Sequence, residues 1–233
     1  MNKLYRYNGA VEMNLLPSKH AGKKLVTFGD SRTWYDGQLY TYRTKTEWKG
    51  KTCRGYQQEL VDLLGVEITN AGVSGEDSAQ ICARIREFDF TNYDIALLEG
   101  GVNDFIKSKT AGQIAPIGAT FDTTTVYGAW QSAIEYILNN YPVVKIYMDV
   151  PAIAWTGAND TMFPYELAKV KKDVAELYNI PCKDLYKEGG INVLNRDYYY
   201  ADDVAASDNW HLHFNDYGNA LLGAELAQFI NAN

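Results

Sequence analysis

Lys24-Leu25-Val26-Thr27-Phe28-Gly29-Asp30-Ser31 is the stretch that decides the fold. Five residues dominated by strand formers predict a short β-strand, and Gly29 closes it. The pattern after it alternates. Residues 53–64 place Tyr56, Leu60, Leu63 and Leu64 at helical spacing, with Gly65 as the stop. Residues 66–69 read as a second strand, 78–88 as a helix, and 94–98 as a third, nearly all-apolar strand. A helix over 125–140 precedes Pro142, and a fourth strand over 143–150 ends at Pro151. A helix opens at Pro164 and runs to Tyr178. Residues 180–182 make a weak fifth strand. Asn215 or Asp216 caps a last helix with Leu221, Leu222, Leu226 and Ile230 as its apolar stripe. Strands alternating with helices predict an α/β sandwich around a mostly parallel sheet. Residues 1–22 read as an N-terminal arm or short hairpin, and 23–233 as one domain.

At 233 residues the chain buries roughly 70–75% of its unfolded surface and needs no disulfide or metal staple. Cys53, Cys82 and Cys182 are odd in number and far apart, which argues against a disulfide framework or a cysteine zinc site. A net charge of −7 speaks against a nucleic-acid binder. No apolar run approaches the ~18–20 residues of a membrane span. The first residues lack the apolar core of a signal peptide, so a reducing, cytoplasmic setting is expected, with a secreted or surface-associated one as the alternative. Histidine is scarce: His20, His211 and His213 are the only three. Any mechanism with a histidine base must use one of them.

In a parallel α/β sheet, ligands gather beyond the carboxyl ends of the strands. The loop after the first strand offers Gly29-Asp30-Ser31, where Ser31 is either an exposed nucleophile or a helix cap. The second offers Gly72 and Gly75, three apart, either a plain turn or a backbone amide aimed at a ligand. The third holds Gly101-Val102-Asn103-Asp104, where the Asn103 amide either serves an oxyanion or satisfies the loop. Asn159-Asp160 reads as a turn. Ahead of the last helix, residues 207–218 supply Asp208, His211 and His213. A hydroxyl nucleophile needs an adjacent base, and that base needs an orienting acceptor.

These four segments, in this order, resemble the SGNH hydrolase superfamily, also called the GDSL esterases and lipases. The resemblance spans residues 24 to 230. It implies a three-layer α/β/α sandwich with a flavodoxin-like sheet of about five strands. It also implies Ser31 as nucleophile and an oxyanion hole built from the Ser31 N–H, the Gly75 N–H and the Asn103 side chain. The G-x-S-x-G elbow of the α/β-hydrolases is absent, since Glu76 breaks it.

The histidine block departs from the family spacing Asp-x-x-His-x-x-x-x-Gly. Counting from Asp208 selects His211; counting back from Gly218 selects His213, with Trp210 in the aspartate's place. His213 lies two residues before the cap Asn215 and is the preferred base. His211 is its alternative, and Asp208 the expected orienter. If 210–214 is extended, both imidazoles share one face.

The resulting expectation is a serine esterase that removes short acyl groups, O-acetyl on a carbohydrate, with no cofactor. Trp34, Tyr35 and Trp210 would contact the sugar. Two other classes stand beside it. One is a metal-dependent hydrolase with Asp208, His211 and His213 as ligands; the other is a glycan-binding module whose site has decayed.

Overall fold

The computed structural model describes residues 5–6, 9–10, 18–41, 43–157, 159–205 and 210–233. Five parallel strands form the central sheet: β1 (Lys24–Gly29), β2 (Glu67–Gly72), β3 (Ile95–Leu98), β4 (Lys145–Val150) and β5 (Cys182–Asp184). Their order is β2-β1-β3-β4-β5, the flavodoxin-like arrangement. The chain is thus a three-layer α/β/α sandwich.

Period-two alternation sorts the strand side chains between two cores. Val26, Phe28, Ala96, Leu98, Ile146 and Met148 face the helices Ser78–Ile85, Val126–Asn140 and Val170–Leu177. Leu25, Ile95, Leu97 and Tyr147 face the helices Tyr56–Leu64 and Asp216–Ala232. Burying one such apolar side chain contributes roughly 1.5–3 kcal/mol. Residues 18–22 lie on the last helix, where the buried His20 meets the Ile230 carbonyl at 3.0 Å. Residues 5–6 and 9–10 form a small antiparallel pair.

Boundaries moved where backbone chemistry overrides propensity. The first long helix begins at Tyr56, behind Gly55, and ends at Gly65, whose φ of 67° takes the left-handed form. The helix expected from Pro164 to Tyr178 divides at Lys169 into Tyr165–Ala168 and Val170–Leu177. The fifth strand starts at Cys182 rather than 180, because Pro181 has no N–H to give the ladder. Among the described residues no helix is long and apolar enough to cross a membrane.

Beneath the carboxyl ends of β1, β3 and β4 lies a buried charge cluster of Asp30, Glu99 and Asp149 with Arg32 and Lys171. The Lys171 ammonium donates to Asp149 Oδ1 (2.7 Å) and to the carbonyls of Leu98 (2.8 Å) and Gly100 (3.2 Å). Glu99 accepts from Thr33 Oγ1 at 2.9 Å. Burial, then the neighbouring Asp30 and Asp149, push the Glu99 carboxyl up to about 8, so it holds its proton at neutral pH. Between its ordinary 4.5 and 8 the folded chain binds more protons here than the unfolded one. Stability therefore falls as pH rises through that window. Glu99→Gln, which copies the protonated acid, is expected to fold and to flatten this dependence. Melting temperatures between pH 5.5 and 8.5 check it, and equal slopes in both proteins would refute it.

Candidate active site

β1 runs through Gly29 into a one-turn helix, Ser31–Trp34, capped by Asp30, whose carboxylate accepts the Arg32 N–H at 3.0 Å. The turn is tight. A Cβ at Gly29 would overlap Thr33 Oγ1, and one at Gly72 would strike the Trp34 nitrogen. Two glycines thus let the Ser31 turn press onto the end of β2. Ser31 is 3% exposed.

Ser31 Oγ lies 3.1 Å from His213 Nε2, and His213 Nδ1 lies 3.0 Å from Asp202 Oδ1. A carboxylate only accepts, so Nδ1 carries the ring proton and Nε2 is left to accept from Ser31 Oγ–H. The second Asp202 oxygen accepts the backbone N–H groups of Leu212 and His213, both at 2.6 Å. Asp202 is 4% exposed and its backbone is pinned on two sides. Ala201 N–H donates to the His213 carbonyl at 2.8 Å, and Thr44 bridges Asp202 from the long loop between Tyr35 and Gly55. Lys45 reinforces that loop by donating to the Tyr200 carbonyl at 2.9 Å.

The expected orienter, Asp208, lies outside the described residues. The carboxylate on His213 comes instead from Asp202, eleven residues upstream of the histidine, and sequence spacing missed it. The signal that could have found it is Trp210. With an indole in the aspartate's slot, the acid must arrive from another segment, and Asp202-Asp203 is an acidic pair close by.

His211 does not join Ser31. It is 2% exposed, and its Nε2 meets Asp197 Oδ1 at 2.6 Å. Its backbone pairs with Trp155 in both directions, at 3.0 and 3.2 Å. His211 is thus tied to Asp197 and Trp155, and of the two histidines His213 is the one against Ser31. Of the expected ligands Asp208, His211 and His213, the first lies outside the described residues. The two histidines bond different carboxylates, and no described group of three or more His, Cys, Asp or Glu side chains is close enough to hold a metal ion.

Asn103 Nδ2 donates to the Glu76 carbonyl at 2.9 Å, which keeps one further N–H in hand. Gly75 turns with φ of 82°, and among the described residues its N–H has no partner. Arg84 fixes this loop through Glu76 (2.7 Å) and the Ala71 carbonyl (2.8 Å). Asp104 locks the two donor segments together, accepting Ser78 N–H at 2.9 Å and Ser78 Oγ–H at 2.5 Å. Burial raises the Asp104 carboxyl to about 6.

Trp34 and Tyr35 are half-buried, and the Tyr35 ring centroid lies 5.0 Å from that of His213. Trp210 is half-buried against the cluster of Val102, Phe105 and Ile106, with the Arg43 guanidinium 5.9 Å over its ring. Trp155, Tyr200 and Tyr40 are core residues, and Tyr42 lies outside the described residues.

Residues 27–221 match the model of the GDSL-like lipase/acylhydrolase family. No curated protein matches the sequence. Among solved structures, a Lactobacillus plantarum protein is 21% identical, with a TM-score of 0.70 over 91% of this chain and 98% of the other. A possible lipase from Chitinophaga pinensis is 20% identical, with a TM-score of 0.67 over 90% and 98%. The aryl esterase of M. smegmatis is 16% identical, with a TM-score of 0.57 over 91% and 99%. At these identities the likeness is one of fold.

The Asp104–Ser78 link makes a stability prediction. Asp104→Asn replaces one acceptor oxygen with a donor facing Ser78, and is expected to cost about 1–3 kcal/mol. Urea denaturation measures it; an unchanged midpoint would exclude the link as a structural tie.

Proposed function

Since the chain belongs to the GDSL-like lipase/acylhydrolase family and is an ester hydrolase, we propose that it works through an acyl-enzyme on Ser31. One observation carries this reading: the unbroken contact from Ser31 Oγ through the His213 ring to Asp202. His213 Nε2 takes the Ser31 proton as Oγ attacks the ester carbonyl. Asp202 holds the ring in the required tautomer and stabilises the imidazolium. The Ser31 N–H, the Gly75 N–H and the second Asn103 N–H surround the developing oxyanion, each donor typically contributing ~3–4 kcal/mol to the barrier's lowering. The imidazolium then returns its proton to the leaving alcohol. Water, activated by the same nitrogen, releases the acid. A decayed binding module would have no reason to keep this alignment.

The proposed substrate is a short-chain ester, O-acetyl on a carbohydrate. Trp34 and Tyr35, carried on and beside the nucleophile's own helix turn, support it, because flat aromatic faces suit the apolar faces of sugar rings. Trp210 is the third aromatic in this proposal.

Fluorophosphonate labelling with peptide mapping is expected to tag Ser31, and Ser31→Ala to abolish p-nitrophenyl acetate hydrolysis without loss of folding. Undiminished turnover in that variant would sink the assignment. Asp202→Asn is expected to lower kcat on the order of 10³–10⁴-fold by favouring the wrong tautomer; a kcat near that of the unchanged protein would place the orienter elsewhere. For specificity, kcat/KM is expected to be higher on acetylated oligosaccharides than on p-nitrophenyl octanoate. The reverse order would refute the carbohydrate reading.

A further inference from the structure

We infer that Arg32, the residue after Ser31, is a positioning residue that sets the geometry of the Ser31–His213 pair; this rests on the serine-esterase reading above. Arg32 is 3% exposed, and its guanidinium reaches two distant segments. Nε donates to the Leu212 carbonyl at 3.0 Å, Nη1 to the Ala152 carbonyl at 2.6 Å, and Nη2 to the Ile153 carbonyl at 3.3 Å. Its central carbon also lies 4.5 Å from the centroid of the Phe214 ring.

The Leu212 carbonyl and the His213 N–H belong to a single planar peptide group. Arg32 holds the oxygen of that plane, and Asp202 Oδ2 holds its N–H at 2.6 Å. The peptide that carries the base is therefore gripped from both edges, by the neighbour of the nucleophile and by the acid that orients the ring. At its own end, Arg32 shares a one-turn helix with Ser31, and its N–H is fixed by Asp30. Serine and histidine lie 182 residues apart, yet one side chain joins their backbones.

Arginine suits this task for a reason of shape. Three carbonyls at separate angles need a planar fork with several donors, which a lysine's single ammonium does not reproduce. An apolar side chain would leave those carbonyls without these donors. The Ser31–His213 contact spans 3.1 Å, and a displacement of about 1 Å at a reacting pair costs roughly 10²-fold in rate.

The test compares Arg32→Met and Arg32→Lys with the unchanged protein, using fluorophosphonate titration to count active sites. Turnover of p-nitrophenyl acetate per titrated site is expected to fall ~10²-fold in Arg32→Met, with KM within about twofold. The rate constant of fluorophosphonate labelling should fall in parallel, since it needs the serine–histidine pair. Arg32→Lys, keeping the charge but not the fork, should fall between the two. A merely structural role would reduce the number of titratable sites and leave turnover per site unchanged, and that result overturns the inference. So does failure of both variants to fold. No label on Ser31 in the unchanged protein would refute the serine reading itself, a separate outcome.

Discussion

Everything at the top of this sheet depends on keeping charge inside it. Asp30, Glu99 and Asp149 stand at the ends of three adjacent strands, where burying an unpaired carboxylate would cost several kcal/mol. Glu99 meets the constraint by staying protonated, and Asp149 by pairing with Lys171. Arg32 donates to the backbone carbonyls of Leu212, Ala152 and Ile153, and Lys171, besides Asp149, to those of Leu98 and Gly100. Satisfying buried charge and shaping the loops are thus one act: the same cations that balance the interior also tie down the Glu99–Gly101 turn and the histidine strand.

Glycine does the complementary work of removing atoms. Gly29 and Gly72 let the serine turn and the second strand end come into contact that a methyl group would forbid. Gly75 instead needs its left-handed backbone, and the space around its absent Cβ is open. Close packing on one side and openness on the other leave the serine buried in its turn and the space beside Gly75 open.

The fold was readable in the sequence because β1, β3 and β4 are short, mostly apolar runs followed by turn residues. Gly29, Gly65 and Thr125 mark their element ends as their chemistry requires. The loops that hold Ser31, Gly75 and Asn103 were readable for the same reason, since each follows a strand of the parallel sheet. Asp202 was not. It reaches His213 through a pairing of residues 201 and 213 and a bridge from Thr44, long-range backbone contacts that leave no local spacing to count. The preference for His213 over His211 rested on the cap at Asn215 and not on an acid partner, for a related reason. A period-two pattern gives a face, but which carboxylate stands opposite is decided by other segments.

The position of Asp202 also bears on how relatives of this chain are recognised. Where the acid sits three residues before the base, one short turn carries both, and a pattern of that spacing finds them. Here Asp202 and His213 arrive on two paired backbone segments, so residues between them can be inserted or replaced without separating the two side chains. A pattern that demands the local spacing will pass over chains in which the carboxylate reaches the histidine this way.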